Sequence, residues 1–336
     1  MKKIIIYNIF FFLIFYIILE IITGNFIFKN KLDCIYLSCD REFSYNFSTP
    51  NGKIKNKFKK DEWGFRGRKK EIDKIDIITV GGSTTNQKFI PLEKTWPEKL
   101  EQMFNQTGKN IDIVNAGIDG QSTKGHIWNF NNWFYKIKDL KTKYIIFYIG
   151  INEELYLQNK NFPKKLNFKS YFFDILKKND GITYKIYKEI IKKYFYKNNV
   201  YIGHFQLPNM IDYKKPTEKI IISLKEKKSL EENLKKIIYL SKKMNAEPIF
   251  ITQKSLRGVI INSEILSIDN RDFFHYENNI AKIIIDTCKS NKIKCVDLNK
   301  EIIFEQNDFY DLIHTNEKGA DKIAKIIFRN LKELEF

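Results

Sequence analysis

Apolar and polar positions along most of the chain follow the rhythm of short strands separated by helices. The clearest strand is Tyr144–Ile149, which is apolar throughout and stops at Gly150, as expected for a strand buried on both faces. Similar apolar runs predict further strands over Ile75–Val80, Ile111–Val114, Pro248–Thr252 and Ile293–Leu298. Helical spacing predicts helices over Trp96–Phe104, Lys124 to about Ile137, Leu230–Met244, Phe273–Cys288 and Glu317–Leu331. This alternation predicts an α/β fold, a three-layer αβα sandwich around a mostly parallel central sheet.

The first residues have a different pattern. After Lys2 and Lys3, the segment Ile4–Ile22 is apolar except for Asn8 and Glu20. A helix of that length spans about 28 Å, close to the hydrocarbon thickness of a bilayer. Because no clear cleavage site follows, we expect an N-terminal transmembrane anchor over residues 1–28 rather than a cleaved signal peptide. The two lysines favour a cytoplasmic amino terminus, which places the rest of the chain outside the cytoplasm.

The rest of the chain divides into a connector over residues 29–74 and one domain over residues 75–336. An insertion at about 156–228 interrupts the strand–helix rhythm, and its clearest predicted element is a helix over Tyr184–Lys197.

Basic residues exceed acidic ones, with 58 Lys and Arg against 40 Asp and Glu, for a net charge of +18. Six of the basic residues are Arg, the residue that base-reading and phosphate-clamping surfaces favour, so we do not expect a nucleic-acid partner. The insertion alone has 17 Lys and a net charge of +11. Either this region is a solvated surface, or it faces anionic lipid headgroups or an acidic glycan.

Four cysteines exclude a disulfide-dense scaffold. Cys34 and Cys39 could form a short-loop disulfide or remain two thiols, and the pattern leaves both open. Cys288 falls on a predicted helix and Cys295 on a predicted strand. No Cys and His spacing typical of zinc is present, and we expect no cofactor.

Polar residues suited to acyl transfer stand where the predicted strands end. Ser83 follows the Gly81-Gly82 turn, Asn152 follows Gly150, and Asp311 and His314 precede the last helix. A serine can attack an acyl carbon when a histidine takes its proton and an aspartate orients the imidazole. Glycine N–H groups and an asparagine amide can stabilise the oxyanion.

Other polar residues fit this chemistry less well. Ser122 is a rival nucleophile, but it lies in a loop without the strand-to-helix context. His126, His204 and His275 are interpreted as surface or packing residues.

At these positions the chain resembles the SGNH/GDSL hydrolases, a family with four conserved sequence blocks. Ser83 matches the nucleophile of the first block, Gly117 the glycine of the second, Asn152 the asparagine of the third, and Asp311 with His314 the DxxH of the last. The resemblance implies a flavodoxin-like sheet and an oxyanion hole formed by the Ser83 N–H, the Gly117 N–H and the Asn152 side chain. It further implies that Ser83, His314 and Asp311 are the catalytic residues.

The resemblance has two departures and some additional support. Gly82 replaces the aspartate of the GDS motif, and Glu153 replaces the aspartate after the third-block asparagine. The segments Gly64-Phe65-Arg66-Gly67 and Trp96-Pro97 resemble a bacterial membrane-anchored branch of the family.

The resemblance favours a serine esterase whose substrate is an acyl ester, such as an O-acetyl group on a cell-surface glycan. Two alternatives remain open: a surface-polysaccharide O-acetyltransferase that uses the same residues, and a catalytically inert, membrane-tethered glycan-binding or assembly protein. A lipase or thioesterase is less favoured because the sequence has no long apolar lid. The oligomeric state is left open.

Overall fold

The computed structural model describes residues 2–23, 32, 37–40, 42–49, 52–67, 70–153, 182–183, 186 and 211–336. Within them the strands are β1 (Glu42–Thr49), β2 (Gly52–Lys59), β3 (Ile77–Gly81), β4 (Ile113–Asn115), β5 (Tyr144–Ile149), β6 (Glu247–Thr252), β7 (Gly258–Ile261), β8 (Glu264–Ser267) and β9 (Lys294–Val296). The α-helices are α1 (Lys2–Thr23), α2 (Ser83–Asn86), α3 (Trp96–Gln106), α4 (Thr123–Asn132), α5 (Leu224–Lys243), α6 (Phe273–Asn291), α7 (Leu298–Glu301) and α8 (Glu317–Leu331).

The central sheet has five parallel strands in the order β4-β3-β5-β6-β9. Counted within this sheet, the order is 2-1-3-4-5, which is the flavodoxin-like arrangement. The chain leaves β3 in one direction to form β4 and returns past it to form β5. In sheets of this kind, ligands bind at the carboxyl ends of the strands where the winding reverses, which here lies between β3 and β5.

Helices cover both faces of the sheet. On one face, α4, α5 and α6 contribute buried side chains such as Phe130, Leu234 and Ile284 to one apolar cluster. On the other face, α3 and α8 contribute Leu100 and Ile327 to a second cluster. Within β5 the side chains alternate between the two clusters, because successive residues of a strand point to opposite faces. The predicted α/β fold with a mostly parallel sheet and helix layers on both sides is confirmed.

Residues assigned to the connector contribute to this core. The strands β1 and β2 form an antiparallel hairpin in which Thr49 pairs with Gly52. Beyond it, Phe65 is buried and its ring stacks on that of Trp133, with 5.0 Å between ring centroids. The Arg66 N–H donates to the Asn115 carbonyl at 2.8 Å, which extends the sheet edge beyond β4. The proposed division into anchor, connector and hydrolase domain stays a prediction.

The helix α1 occupies the segment for which the sequence predicted a membrane anchor. In the part of the chain that the structure describes, we find no helix that is both long and apolar enough to cross a membrane. The predicted transmembrane helix is therefore not supported.

Of the insertion, the structure describes residues 182–183, 186 and 211–228, so the predicted helix Tyr184–Lys197 lies outside the described residues except for Ile186. The described part runs against the β7–β8 hairpin, where Lys214 pairs with Ser267. Helix α5 begins at Leu224, six residues before the predicted start. A capping box between Ser223 and Glu226 begins the helix there.

A disulfide joins Cys288 at the end of α6 to Cys295 in β9, with the two Cα atoms 6.2 Å apart. Cys39 is also disulfide-bonded, while Cys34 lies outside the described residues.

Candidate active site

Ser83 stands at a sharp turn between β3 and α2. It is partly exposed, whereas the residues on either side of it are buried. The preceding Gly82 has space for no side chain, because a Cβ there would lie 2.2 Å from Asn152 Nδ2. The missing side chain allows Asn152, which follows β5, to approach the serine turn. The sheet thus brings the ends of β3 and β5 together where the winding reverses.

The Asp311–His314 loop faces Ser83 from the other side. The Tyr310 N–H donates to the His314 carbonyl at 3.1 Å and closes the loop. The Asp311 carboxylate accepts hydrogen bonds from the N–H groups of Ile313 at 2.8 Å and His314 at 2.7 Å. Its other oxygen lies 2.7 Å from His314 Nδ1, and His314 Nε2 lies 2.7 Å from Ser83 Oγ. The structure therefore brings the three predicted catalytic side chains into one hydrogen-bonded chain.

Asp311 is held in its ionised form. Burial alone would raise the pKa of this carboxyl, but the hydrogen bonds and charge of His314, with the backbone N–H groups, outweigh burial and lower it. An ionised Asp311 keeps the proton of a neutral His314 on Nδ1, so Nε2 is free to accept the proton of Ser83.

Two of the three predicted oxyanion donors are positioned for that role. Asn152 Nδ2 donates one hydrogen to the Gln121 carbonyl at 2.9 Å, which orients the amide. The second hydrogen on Nδ2 is available for another acceptor. For the Ser83 N–H we find no partner among the described residues. Both groups therefore can donate to an oxygen beside Ser83.

Gly117, the third predicted donor, is close but engaged. A Cβ on this residue would lie 2.3 Å from the Asn86 nitrogen, so a glycine is needed where the loop after β4 touches α2. Its N–H, however, donates to Asn115 Oδ1 at 2.9 Å. Asn115 Nδ2 in turn donates to the Thr85 carbonyl at 2.8 Å, which fixes the Asn115 side chain. Gly117 can serve an oxyanion only by sharing or releasing the Asn115 hydrogen bond.

Gln253, which the sequence did not single out, connects three parts of the site. It follows β6, and its Nε2 donates to Thr84 Oγ1 at 2.7 Å, next to the nucleophile. Its Oε1 accepts the Ile151 N–H at 2.8 Å, next to Asn152. The following loop also reaches the histidine loop, because the Leu256 N–H donates to the Leu312 carbonyl at 2.9 Å. A single glutamine among many gives no sequence signal, since its partners come from distant segments.

Glu153 has a structural role. It is buried, and its carboxylate accepts the Thr123 N–H at 2.7 Å and the Thr123 hydroxyl at 2.9 Å at the start of α4. Burial raises the pKa of Glu153 to about 7, although the hydrogen bonds from Thr123 oppose the shift. The Glu153 side chain thus reaches the first residue of α4 and fixes it to the end of β5.

The rival residues are placed elsewhere. Ser122 precedes α4 and is buried. His126 lies in the core, where burial lowers its pKa to about 3, so it stays neutral. His275 forms a pair with Asp272 at the start of α6. His204 lies outside the described residues.

Tyr310 is a further residue that the sequence did not indicate. Its ring stacks on His314, with 5.6 Å between ring centroids and 5° between the planes. Burial raises the pKa of the Tyr310 hydroxyl well above its ordinary value, so it remains neutral. A neutral aromatic face beside the imidazole limits the orientations available to His314.

Together these groups can carry out acyl transfer: a hydroxyl next to a base, a carboxylate that orients the base, and two N–H donors beside the hydroxyl. The partial exposure of Ser83, Asn152 and His314 leaves room for a substrate.

Comparison with known proteins gives partial similarities. No family model matches the chain, and no curated protein matches it. Among solved structures, a member of the lipolytic protein G-D-S-L family from Veillonella parvula is 16% identical and has a TM-score of 0.46, covering 77% of this chain and 100% of its own. An acetylxylan esterase from Geobacillus stearothermophilus is 12% identical and has a TM-score of 0.47, covering 78% of this chain and 95% of its own. Similarities at this level establish neither a family nor a function.

Proposed function

We propose that this protein is a serine esterase that hydrolyses an acyl ester through Ser83, His314 and Asp311. The observation that carries this proposal is the chain of two 2.7 Å hydrogen bonds from Ser83 Oγ through the His314 ring to Asp311. Its position at the reversal point of a flavodoxin-like parallel sheet supports the same conclusion, because ligands bind there in such folds.

The reaction has two steps. His314 Nε2 accepts the Ser83 proton as Oγ attacks the acyl carbon, and the carbonyl oxygen gains negative charge. The Ser83 N–H and Asn152 Nδ2 donate to this oxyanion, and Gly117 joins them if its N–H leaves Asn115. His314 then gives its proton to the departing alcohol oxygen, which leaves an acyl-serine. Water, deprotonated by His314, cleaves that ester, and the proton returns to Ser83.

We further infer that the protein belongs to the SGNH/GDSL hydrolases. The four sequence blocks of that family supply Ser83, Gly117, Asn152 and the Asp311–His314 pair. Support comes from their convergence at one edge of the sheet, each from a different strand end or loop. A chance match to four short motifs would not bring them together in space.

For the substrate, we propose a small acyl group, such as acetyl, on a hydrophilic alcohol such as a glycan. The polar surroundings of the site support this assignment. Lys88 and Asp119 form an ion pair, and Asn86 Nδ2 donates to Asp119 at 2.8 Å. The charge of Asp119 also helps to raise the pKa of Tyr310, which stacks on His314. A long acyl chain would favour apolar surroundings instead.

We also propose that the enzyme works outside the cytoplasm. The Cys288–Cys295 disulfide supports this location, because disulfides persist in oxidising compartments, whereas the cytoplasm keeps cysteines reduced.

The test is labelling of the purified protein with a fluorophosphonate probe and hydrolysis of 4-nitrophenyl acetate. We expect the wild type and the control variant Ser122→Ala to be labelled and active, and Ser83→Ala to be neither. Labelling or activity that survives in Ser83→Ala would refute the assignment. With a glycan substrate, mass spectrometry then separates the two reactions: an esterase removes acetyl groups, whereas an acetyltransferase supplied with an acetyl donor adds them.

A further inference from the structure

A second concave surface opens at the carboxyl edge of the sheet, away from Ser83. This cavity has a volume of about 480 Å³ and lies between the ends of β6 and β9 and one side of α6. Its volume falls within the range of small-ligand pockets, roughly 300 to 1,000 Å³. Four lysines line it: Lys254, Lys282, Lys289 and Lys300. We call it the lysine cavity.

The positive charge of the lysine cavity is only partly offset by the protein, because two aspartates, Asp286 and Asp297, face four lysines. Some lysines elsewhere have acidic partners: Lys99 and Lys325 both pair with Asp321, and Lys322 pairs with Asp308. By contrast, within the described ranges no carboxylate lies within 4.0 Å of any of the four cavity ammonium groups. The lining includes two acidic residues, one of which, Asp297, accepts a hydrogen bond from Thr252. The cavity therefore has an excess of positive charge that attracts anions.

Lys254 is the clearest example of a positive charge without a carboxylate in contact within the described residues. It follows β6 and is partly buried, and its ammonium group donates to the Ile302 carbonyl at 3.2 Å. Burial lowers the pKa of Lys254, although the charge of Glu277 opposes the shift. In the described part of the chain no carboxylate forms an ion pair with this partly buried ammonium group, and a bound anion would offset the cost of its burial.

The uncharged part of the lining suits a sugar. Phe274 and Ile260 provide apolar surface for the faces of a sugar ring. The Asn299 amide donates to Asn278 Oδ1 at 2.5 Å, which orders both side chains and leaves the Asn278 Nδ2 hydrogens for hydroxyl groups. The lining contains no arginine, the residue that nucleic-acid surfaces favour. These features favour an anionic glycan over a nucleic acid.

The loop that supplies Lys254 also touches the active site on both sides. Gln253 contacts Thr84 beside the nucleophile, and Leu256 contacts Leu312 in the histidine loop. With consecutive Cα atoms about 3.8 Å apart, Lys254 lies within roughly 15 Å of both catalytic segments. A polymer held at the lysine cavity can therefore present a nearby residue to Ser83.

We propose that the lysine cavity binds the negatively charged groups of a glycan, so that the preferred substrate is an acylated anionic polysaccharide. The substrate assignment rests on the esterase function proposed above, whereas glycan binding does not.

Binding is tested with fluorescently labelled polygalacturonate and the full-length protein. The test variant is Lys289→Gln/Lys300→Gln, and the control is Lys235→Gln/Lys236→Gln on α5; all four lysines are exposed, and each variant removes two charges. We expect the dissociation constant of the test variant to rise about 5- to 10-fold and that of the control to stay within about twofold. Added salt should weaken binding by the wild type.

Other ligands separate the possible sources of the negative charge. Dextran sulfate that binds while polygalacturonate does not would assign the cavity to sulfate rather than carboxylate groups. Equal binding of neutral xylan, equal weakening in both variants, or equally tight binding of single-stranded DNA would each overturn the proposal.

Kinetics distinguish failure of this inference from failure of the esterase function. We expect the test variant to hydrolyse 4-nitrophenyl acetate like the wild type, but to have a KM for acetylated polygalacturonate raised about 5- to 10-fold. An unchanged KM on that polymer would refute the substrate assignment. Absence of any 4-nitrophenyl acetate hydrolysis would refute the esterase function, and the binding experiment would still decide whether the cavity holds glycan anions.

Discussion

The molecule contains two Asp-Xaa-Xaa-His segments with almost the same local geometry. In both, one aspartate oxygen accepts the histidine N–H, at 2.7 Å for Asp311 and 3.0 Å for Asp272. The other oxygen lies 2.7 Å and 2.6 Å, respectively, from the histidine Nδ1. The four-residue segment therefore forms the carboxylate–imidazole pair by itself, wherever it occurs in the fold.

The two pairs differ in their surroundings. Asp272 caps the long helix α6, and the His275 side chain is 59% exposed. The Asp311 pair lies in a closed loop, its imidazole is 25% exposed, and its Nε2 meets Ser83. The comparison shows that the motif orients an imidazole, whereas the fold decides whether a serine hydroxyl lies beside its Nε2.

Removing each histidine should give the largest contrast. We expect His314→Ala to lower kcat on 4-nitrophenyl acetate by about 10⁴- to 10⁶-fold, because Ser83 loses its base. His275→Ala should keep wild-type activity, since its imidazole does not contact the site. Steady-state kinetics of the two variants test this. Comparable losses in both would show that the two pairs are not functionally distinct.

The aspartates sharpen the comparison. Asp311→Asn should lower kcat by about 10³- to 10⁴-fold, because an amide cannot orient and stabilise the imidazolium as a carboxylate does. Asp272→Asn should leave kcat unchanged and change stability little, since asparagine also caps helices well. The measurements are kcat and urea denaturation of each variant. A large loss of kcat in Asp272→Asn would contradict the assignment.

The proposed oxyanion donor Asn152 lies beside Ser83, which contacts the Asp311–His314 pair. Asn152→Ala should lower kcat by about 10²- to 10³-fold, because one donor to the oxyanion is lost. Circular dichroism should show that the variant folds. If kcat falls less than tenfold, the Ser83 N–H with a released Gly117 N–H suffices, and Asn152 has a different role.

Asp272 and Glu153 each accept a backbone N–H at the start of a helix, and the smallest expected effect comes from comparing them. Asp272 has a histidine beside it, whereas among the described residues we find no cation beside buried Glu153, and its pKa of about 7 lies above the ordinary value of 4.5. The folded protein therefore holds a proton that the unfolded chain releases. This contribution to stability is complete below about pH 4.5 and is lost as the pH rises through about 7.

Glu153→Gln removes that titration. We expect the decrease in the free energy of unfolding from pH 5 to pH 8 to be smaller in the variant by about 2 kcal/mol. Urea denaturation at the two pH values measures it, with the exposed Glu232→Gln as the control. Parallel pH dependence in wild type and Glu153→Gln would contradict an uncompensated buried carboxylate.

Sequence patterns were sufficient where the apolar residues of an element follow one clear period. Strand β5 and helix α8 have the predicted bounds, because the apolar run of the first and the amphipathic spacing of the second leave no competing pattern. The residues at strand ends could be predicted for the same reason, since a parallel sheet brings its carboxyl ends together.

Elements with exposed faces were harder to predict. The first turns of α5 are exposed and depend on the Ser223 capping box, so apolar spacing gave no sign of them. The β7–β8 hairpin turns through Asn262 and Ser263, which both have positive φ. Glycine, the usual sequence signal for such a turn, is absent from these two positions. Gln253 depends on contacts between distant segments, which no local pattern records.

The close packing of Gly82 against Asn152 constrains how this sequence can change. An aspartate at position 82 would place a Cβ 2.2 Å from the Asn152 amide nitrogen. The two positions are therefore coupled: a side chain at 82 fits only if the Asn152 side chain shifts away from its present contact with the serine turn. Any redesign of the turn that carries Ser83 should therefore choose the residues at positions 82 and 152 together.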